Sequence, residues 1–268
     1  MNRYLRKHTP WDALLLAFLM ASTGCTTVPE TGRSQLLLIS PSEATQLGLT
    51  EFQKLKQATP VSRDAAKTAL VERVGRRIAA VAPLPNAQWE FVLFDAPDTA
   101  NAFCLPGGKV GIYSGILPVT QDENGLATVI GHEVAHAVAR HGAERISEGL
   151  LLQLGGQVLA VATQTQPALT QTIVQQAYGI GSQVGVALPH SRQQELEADR
   201  LGLLYMARAG YDPRSATDFW KRFSAYGAKR GGSPPEFLST HPVDTTRIAR
   251  IQSLMPQAVA EYERSKTR

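Results

Sequence analysis

The chain has 268 residues, 43% of them hydrophobic and 19% charged, with two cysteines and a formal net charge of +4. These values exclude a disordered chain, a small disulfide-stapled scaffold and a membrane bundle, and they suit one or two packed domains. Arg3, Arg6 and Lys7 against Asp12 give residues 1–24 a charge of +2, which leaves +2 for the rest, so no nucleic-acid partner is indicated.

The first three cations precede an apolar run from Ala13 to Ala21, and Ser22, Thr23 and Gly24 then lead into Cys25. That is the order of a secretory signal, and the apolar run is too short to span a bilayer as a helix. The segment resembles a bacterial lipobox with lipidation at Cys25, although Ser22 stands where such sequences usually carry an aliphatic residue. The alternative is a plain cleaved signal. Thr26 after the cysteine resembles the pattern that permits sorting to an outer membrane. We therefore divide the chain into a signal peptide over 1–24, a lipidated tether over 25–39 and one domain over 40–268.

Along that domain, Ser40, Pro41 and Glu43 form a helix start by capping box and first-turn proline. The pattern of Leu70, Val74 and Ile78 predicts a second helix from about Ser62 to Ala82, ended by Pro83. Trp89–Phe94, Ala102–Leu105 and Lys109–Ser114 read as strands of a small sheet, the last two joined by Pro106, Gly107 and Gly108. After Asp122 the chain reads as helical, with breaks near Pro167, near Pro189 and from Gly227 to Thr240. From Gly149 to Leu188 the sequence is apolar but interrupted by Gln and Thr. It reads as one or two buried helices or as a surface-lying membrane or partner contact, not as a spanning pair.

The chemistry concentrates in His132-Glu133-Val134-Ala135-His136. Residues four apart on a helix are separated by about 400° and about 6 Å, so the two imidazoles share a face at a spacing that suits one tetrahedral metal. Glu133 lies beside that metal, where a general base belongs. Asp122 can cap this helix. His141 is one residue short of the metzincin spacing for a third histidine, and that class is rejected. Glu195 and Asp199 share a face of a later helix, so Glu195 can complete a His₂Glu zinc site and Asp199 can accept the second-nitrogen proton of a ligating histidine. Glu197 points elsewhere on that helix. Cys104 reads as a small packed residue.

These motifs resemble the gluzincin metallopeptidase family of HtpX, BepA and the CAAX prenyl endopeptidases, peptidase family M48. The HExxH motif falls at His132 to His136, the ExxxD motif at Glu195 and Asp199, a strand-and-turn segment at Asn101 to Gly115, and a Thr-His-Pro element at Thr240 to Pro242 with Arg247 beyond it. The resemblance implies an α+β, mainly helical zincin-type domain whose small sheet offers an edge strand to the active-site cleft. It further implies one Zn²⁺ per chain, His241 and Arg247 as oxyanion donors, and a soluble periplasmic lipoprotein. His241 has a second reading, as an occupant of the open zinc position in a latent enzyme.

Lys109, Val110, Gly111, Ile112 and Tyr113 are expected to form the edge that pairs with an extended peptide, with Asn101 fixing the peptide backbone. The resulting expectation is a zinc endopeptidase held at the periplasmic face of a bacterial outer membrane by its lipid, acting on unfolded or misassembled envelope proteins, with the outer-membrane assembly machinery as a partner. The alternative is a zinc-stabilised chaperone or adaptor that cuts rarely. A third reading, a structural lipoprotein, requires no zinc.

Overall fold

The structure is a computed structural model that describes residues 24–183, 188–229 and 235–267. The signal segment before Gly24 lies outside the described residues. Where a single domain was expected from residue 40 onward, the chain divides into two compact units: residues 41–142 with 193–267, and residues 24–40 with 143–192.

The first unit opens with α1 (Pro41–Ala58), which starts at the expected proline. α2 (Ala65–Ala79) is shorter than the apolar pattern implied. Asp64 caps it by accepting from the Lys67 amide, and it ends before Pro83 is reached. Its buried stripe is Val71, Val74, Gly75 and Ile78, with Leu70 only half-buried. Val74 and Ile78 thus lie on the inward face as expected, and Val71 takes the place of Leu70.

Three strands follow: β3 (Glu90–Phe94), β4 (Ala102–Leu105) and β5 (Lys109–Tyr113), in spatial order β3-β5-β4. The numbering counts two short strands of the other unit, described below. β5 pairs in parallel with β3 and antiparallel with β4. Gly107 and Gly108 turn the β4–β5 hairpin at φ of 86° and 83°, a region glycine enters without a Cβ clash.

Lys109–Tyr113 is therefore the central strand. Both of its edges are already hydrogen-bonded, so it cannot accept an added peptide strand. Val110, Gly111 and Ile112 are buried in succession, the signature of a strand covered on both faces. The edge that lies beside the helix carrying His132 is β4.

After the short α3 (Leu117–Thr120) comes α4 (Glu123–Val138), whose N-terminus is capped by Asp122 accepting from the Gly125 amide at 2.8 Å. From Gly125 to His136 every residue of α4 is buried, as befits a helix apolar on all sides. It packs on β4 and α2.

The second unit begins with β1 (Cys25–Thr27) and β2 (Ser34–Leu36), an antiparallel pair, so the expected tether is a hairpin. Its long helices are α5 (His141–Thr163) and α6 (Ala168–Ser182). Arg33 donates to both carboxylate oxygens of Glu144 at 2.6 and 2.7 Å, and the Leu38 amide donates to Ser147 Oγ. Tyr178 donates to the Leu152 carbonyl, pairing α6 with α5. Contrary to buried helices, Leu150, Leu154, Val158, Val161, Leu169 and Ile173 are exposed. Residues 149–191 contain no Asp, Glu, Lys or Arg. One helix among the described residues, His141–Thr163, is long and apolar enough to cross a membrane by length and composition.

The chain returns through α7 (Leu188–Arg208), with Pro189 in its first turn, and then α8 (Ser215–Lys229), the short α9 (Glu236–Thr240) and α10 (Thr245–Ser265). Phe219, Trp220 and Phe223 of α8 are buried with Phe237 of α9. The Trp220 and Phe237 rings stack at 5.9 Å, and Phe237 lies 4.4 Å from the His241 ring. This aromatic wall holds the segment that ends in His241.

Candidate metal centre and active site

The two helices that carry the motifs meet at a pair of glycines. A Cβ on Gly131 would lie 2.8 Å from the Gly202 carbonyl, and one on Gly202 would lie 2.9 Å from the His132 amide nitrogen. Only glycine at both positions lets α4 and α7 approach backbone to backbone. Gly131 immediately precedes His132, and Gly202 follows Asp199 by less than a turn, so this crossing brings the histidines and carboxylates together.

Four side chains then converge: His132, His136, Glu195 and His241, all buried. His132 Nε2 lies 3.1 Å from His136 Nε2, 3.2 Å from His241 Nδ1 and 3.3 Å from Glu195 Oε2. Glu195 Oε1 is 3.2 Å from His136 Nε2 and 2.9 Å from His241 Nδ1. A tetrahedron with zinc–ligand arms of about 2.0–2.1 Å has edges of about 3.3 Å, so the donors fit a zinc ion by size and by chemistry.

The electrostatics agree. Among the described residues at the site, Glu133, Glu195 and Asp199 are buried with Arg247 as the one permanent cation, and that negative excess calls for further positive charge, from a protonated histidine or a metal ion. Burial alone would raise Glu195, yet hydrogen bonds from His132, His136 and His241 hold its carboxyl well below the usual range. Burial would lower His132, but the Asp199 and Glu195 carboxylates outweigh it and lift its pKa to about 9. His136 is carried the other way, chiefly by burial.

Around the donors, Asp199 Oδ1 faces His132 Nδ1 at 3.1 Å. Arg247 donates from Nε and Nη2 to the two oxygens of Asp199, both at 2.8 Å, and from Nη1 to the Pro242 carbonyl at 3.0 Å. Its Nη1 is also 3.1 Å from Glu195 Oε2, and its guanidinium lies over Trp220 at 4.1 Å. Such a bidentate, stacked arginine is a clamp on two carboxylates. The oxyanion role expected for it does not suit that engagement. His241 Nε2 faces Glu133 Oε1 at 3.3 Å, which puts His241 between base and donors.

Asn101 does not project toward a substrate through its oxygen. Its Oδ1 accepts from the Ala102 amide at 2.8 Å, while its own carbonyl accepts from Tyr113. Because Asn101 bonds β5, the strand's alternation turns the main-chain groups of Ala102 and Cys104 to the outer edge of β4. Cys104 is half-buried, and its thiol pKa is pushed up by burial and by the Glu133 carboxylate. Cys25 is exposed.

Sequence reasoning overlooked Gly131, Gly202, Trp220 and Phe237, and it dismissed His141 and Glu197. The last two are buried and bonded to each other at 2.9 Å.

The profile of Peptidase family M48 matches residues 65–255. The chain belongs to this family, whose members are zinc-dependent metallopeptidases. Among its relatives, the mitochondrial metalloendopeptidase OMA1 of Schizosaccharomyces pombe is 38% identical over 74% of this chain and 56% of that protein. The human mitochondrial metalloendopeptidase OMA1 is 32% identical over 86% of this chain and 46% of its own length. The beta-barrel assembly-enhancing protease of Escherichia coli is 28% identical over 88% and 50%. The chain thus spans about half the length of the curated relatives it matches.

Proposed function

We propose that this chain is a zinc-dependent endopeptidase that cleaves unfolded or misassembled polypeptides at the periplasmic face of a bacterial outer membrane. The observation that carries the catalytic reading is the convergence of His132 Nε2, His136 Nε2 and a Glu195 oxygen at zinc-sized separations, with Glu133 buried beside them.

His132, His136 and Glu195 would hold the ion, which when bound supplies Lewis acidity to a carbonyl and to water. Glu133 takes a proton from the attacking water at its carboxylate and returns it to the leaving amine. Asp199 Oδ1 stands 3.1 Å from His132 Nδ1, placed to orient that ring, and Arg247 fixes Asp199 and Glu195. An extended substrate adds to the outer edge of β4, through the Ala102 carbonyl and the main chain of Cys104, in place of Lys109–Tyr113. Main-chain pairing reads an unfolded chain with little dependence on its sequence.

His241 Nδ1 sits among the metal donors while its Nε2 faces Glu133. This favours a latent state in which His241 fills the position that water and substrate need, and activity requires the α9 segment to withdraw. The membrane setting is supported by Cys25 and the uncharged, apolar residues 149–191, which belong to the same compact unit. The name of the beta-barrel assembly-enhancing protease supports an outer-membrane assembly setting.

The test is cleavage of an unfolded protein by the wild-type chain and by Glu133→Gln, with bound zinc measured in both. Cleavage by the wild type alone, with zinc retained in both, supports the peptidase. Zinc in both with equal cleavage, or no zinc in either, defeats it.

A further inference from the structure

The second nitrogens of the two histidines of the metal centre face different groups. His132 turns Nδ1 to a carboxylate, Asp199. His136 turns Nδ1 to another imidazole: His141 Nδ1 lies 2.8 Å away, and His141 Nε2 lies 2.9 Å from Glu197 Oε2. All three side chains are buried, with His141 at 0% exposure. On a continued helix His141 would stand about 140° around the axis and about 7.5 Å along it from His136. Instead α4 stops at Val138, and Arg140 adopts φ of 60°. That left-handed residue folds the chain back and sets His141 against His136. An arginine in this region is strained relative to glycine, so the fold sustains the bend at a cost.

We infer that His141 and Glu197 are positioning residues, a carboxylate–imidazole relay that fixes the tautomer and ring angle of His136 for the metal. The proton count leaves one arrangement. For His136 Nε2 to offer its lone pair beside Glu195, the neutral ring must carry its proton on Nδ1. That proton is donated to His141 Nδ1, which must then be bare. The proton of neutral His141 therefore sits on Nε2 and is donated to Glu197. The carboxylate terminates the chain as a pure acceptor, and each bond supports the next. Outer partners of metal-bound histidines typically set metal affinity in this way. The inference rests on the zinc-centre reading above.

Zinc affinity by chelator competition, with ¹⁵N-histidine spectra of the zinc-loaded full chain, tests it. In the wild type, His136 should carry its proton on Nδ1. His141→Phe should weaken zinc binding by about 10–100-fold. His141→Gln, which keeps an oxygen to accept from His136, should recover most of that loss. Glu197→Gln should weaken binding in the same direction but by less, because its amide oxygen still accepts.

Unchanged affinity in His141→Phe, or equal weakening in His141→Gln, overturns the relay, since the first denies any role and the second leaves only packing. If His141→Phe fails to fold, the wild-type tautomer and Glu197→Gln decide. A His136 proton away from Nδ1, or unchanged zinc binding in Glu197→Gln, then overturns it. A wild-type chain that holds no zinc refutes the metal centre itself, whereas a zinc-loaded wild type with indifferent variants refutes the relay alone.

Discussion

Gly202→Ala tests how the site is assembled without touching a metal donor. The added Cβ would stand 2.9 Å from the His132 amide nitrogen and 3.0 Å from Gly131 C and His132 Cα. Ordinary carbon contacts are about 3.5–4.0 Å, so α4 and α7 must separate by about 0.5–1 Å. Overpacking of this kind costs about 1–3 kcal/mol, or roughly 2–12 °C in melting temperature for a unit of this size. The same displacement falls on the 3.1 Å contact of Asp199 with His132 and the 3.3 Å contact of Glu195 with His132. A misplacement near 1 Å can reduce turnover by about 100-fold. The assay is thermal unfolding together with zinc affinity and cleavage of an unfolded substrate. Gly149→Ala is the control, because a Cβ there meets nothing within 4 Å; it should be neutral or gain up to about 1 kcal/mol. Wild-type melting and zinc affinity in Gly202→Ala would refute the argument that backbone contact sets the site.

His241→Ala should raise cleavage about tenfold or more if the open state is a minor population, whereas a fall of about 100-fold or more would assign His241 to oxyanion stabilisation. Phe237, with 0% exposure beneath His241, should cost about 3–5 kcal/mol as Phe237→Ala, read by chemical denaturation; a loss under 1 kcal/mol would show that the aromatic wall is not supporting this segment. Alkylation of Cys104 near neutral pH should be about tenfold or more slower in the folded chain than in the denatured one, since burial and Glu133 disfavour its thiolate. Leu154 and Val158, each 42% exposed, should each lose about 1.5–3 kcal/mol of apolar contact on substitution by Glu, and weaker binding to lipid vesicles by flotation would report it. Unchanged flotation would remove the apolar helices from the membrane reading.

The donor residues were legible because their logic is local. A histidine pair four residues apart on an apolar helix, and a carboxylate pair at the same spacing on another, declare their faces without a fold. The strands were legible one by one, but their order was not. Pairing of β3 with β5 is non-local, and the clue that Lys109–Tyr113 is central lay in its unbroken apolar middle rather than in any motif. Gly131 and Gly202 carry no signal apart from each other. His141 was invisible for a sharper reason: helical arithmetic places it away from His136, and only the bend at Arg140 reverses that. Glu197 does point away from the metal, as its register requires, but what it points to could not be read before the bend was known. Residues 40–268 were read as one domain because nothing in their composition marks where a compact unit is interrupted and later resumed.

That interruption has a consequence for biosynthesis. Both histidine ligands lie before residue 142, whereas Glu195, Asp199, His241 and Arg247 lie after residue 193 in the same unit. A growing chain at about 5–20 residues per second displays the HExxH helix several seconds before α10 exists. Until Arg247 arrives to neutralise Asp199, the second carboxylate pair has no favourable reason to be buried. The chain is therefore unable to assemble a complete cutting site while most of it is still being made, and its own emerging segments are spared by the order in which its residues are written.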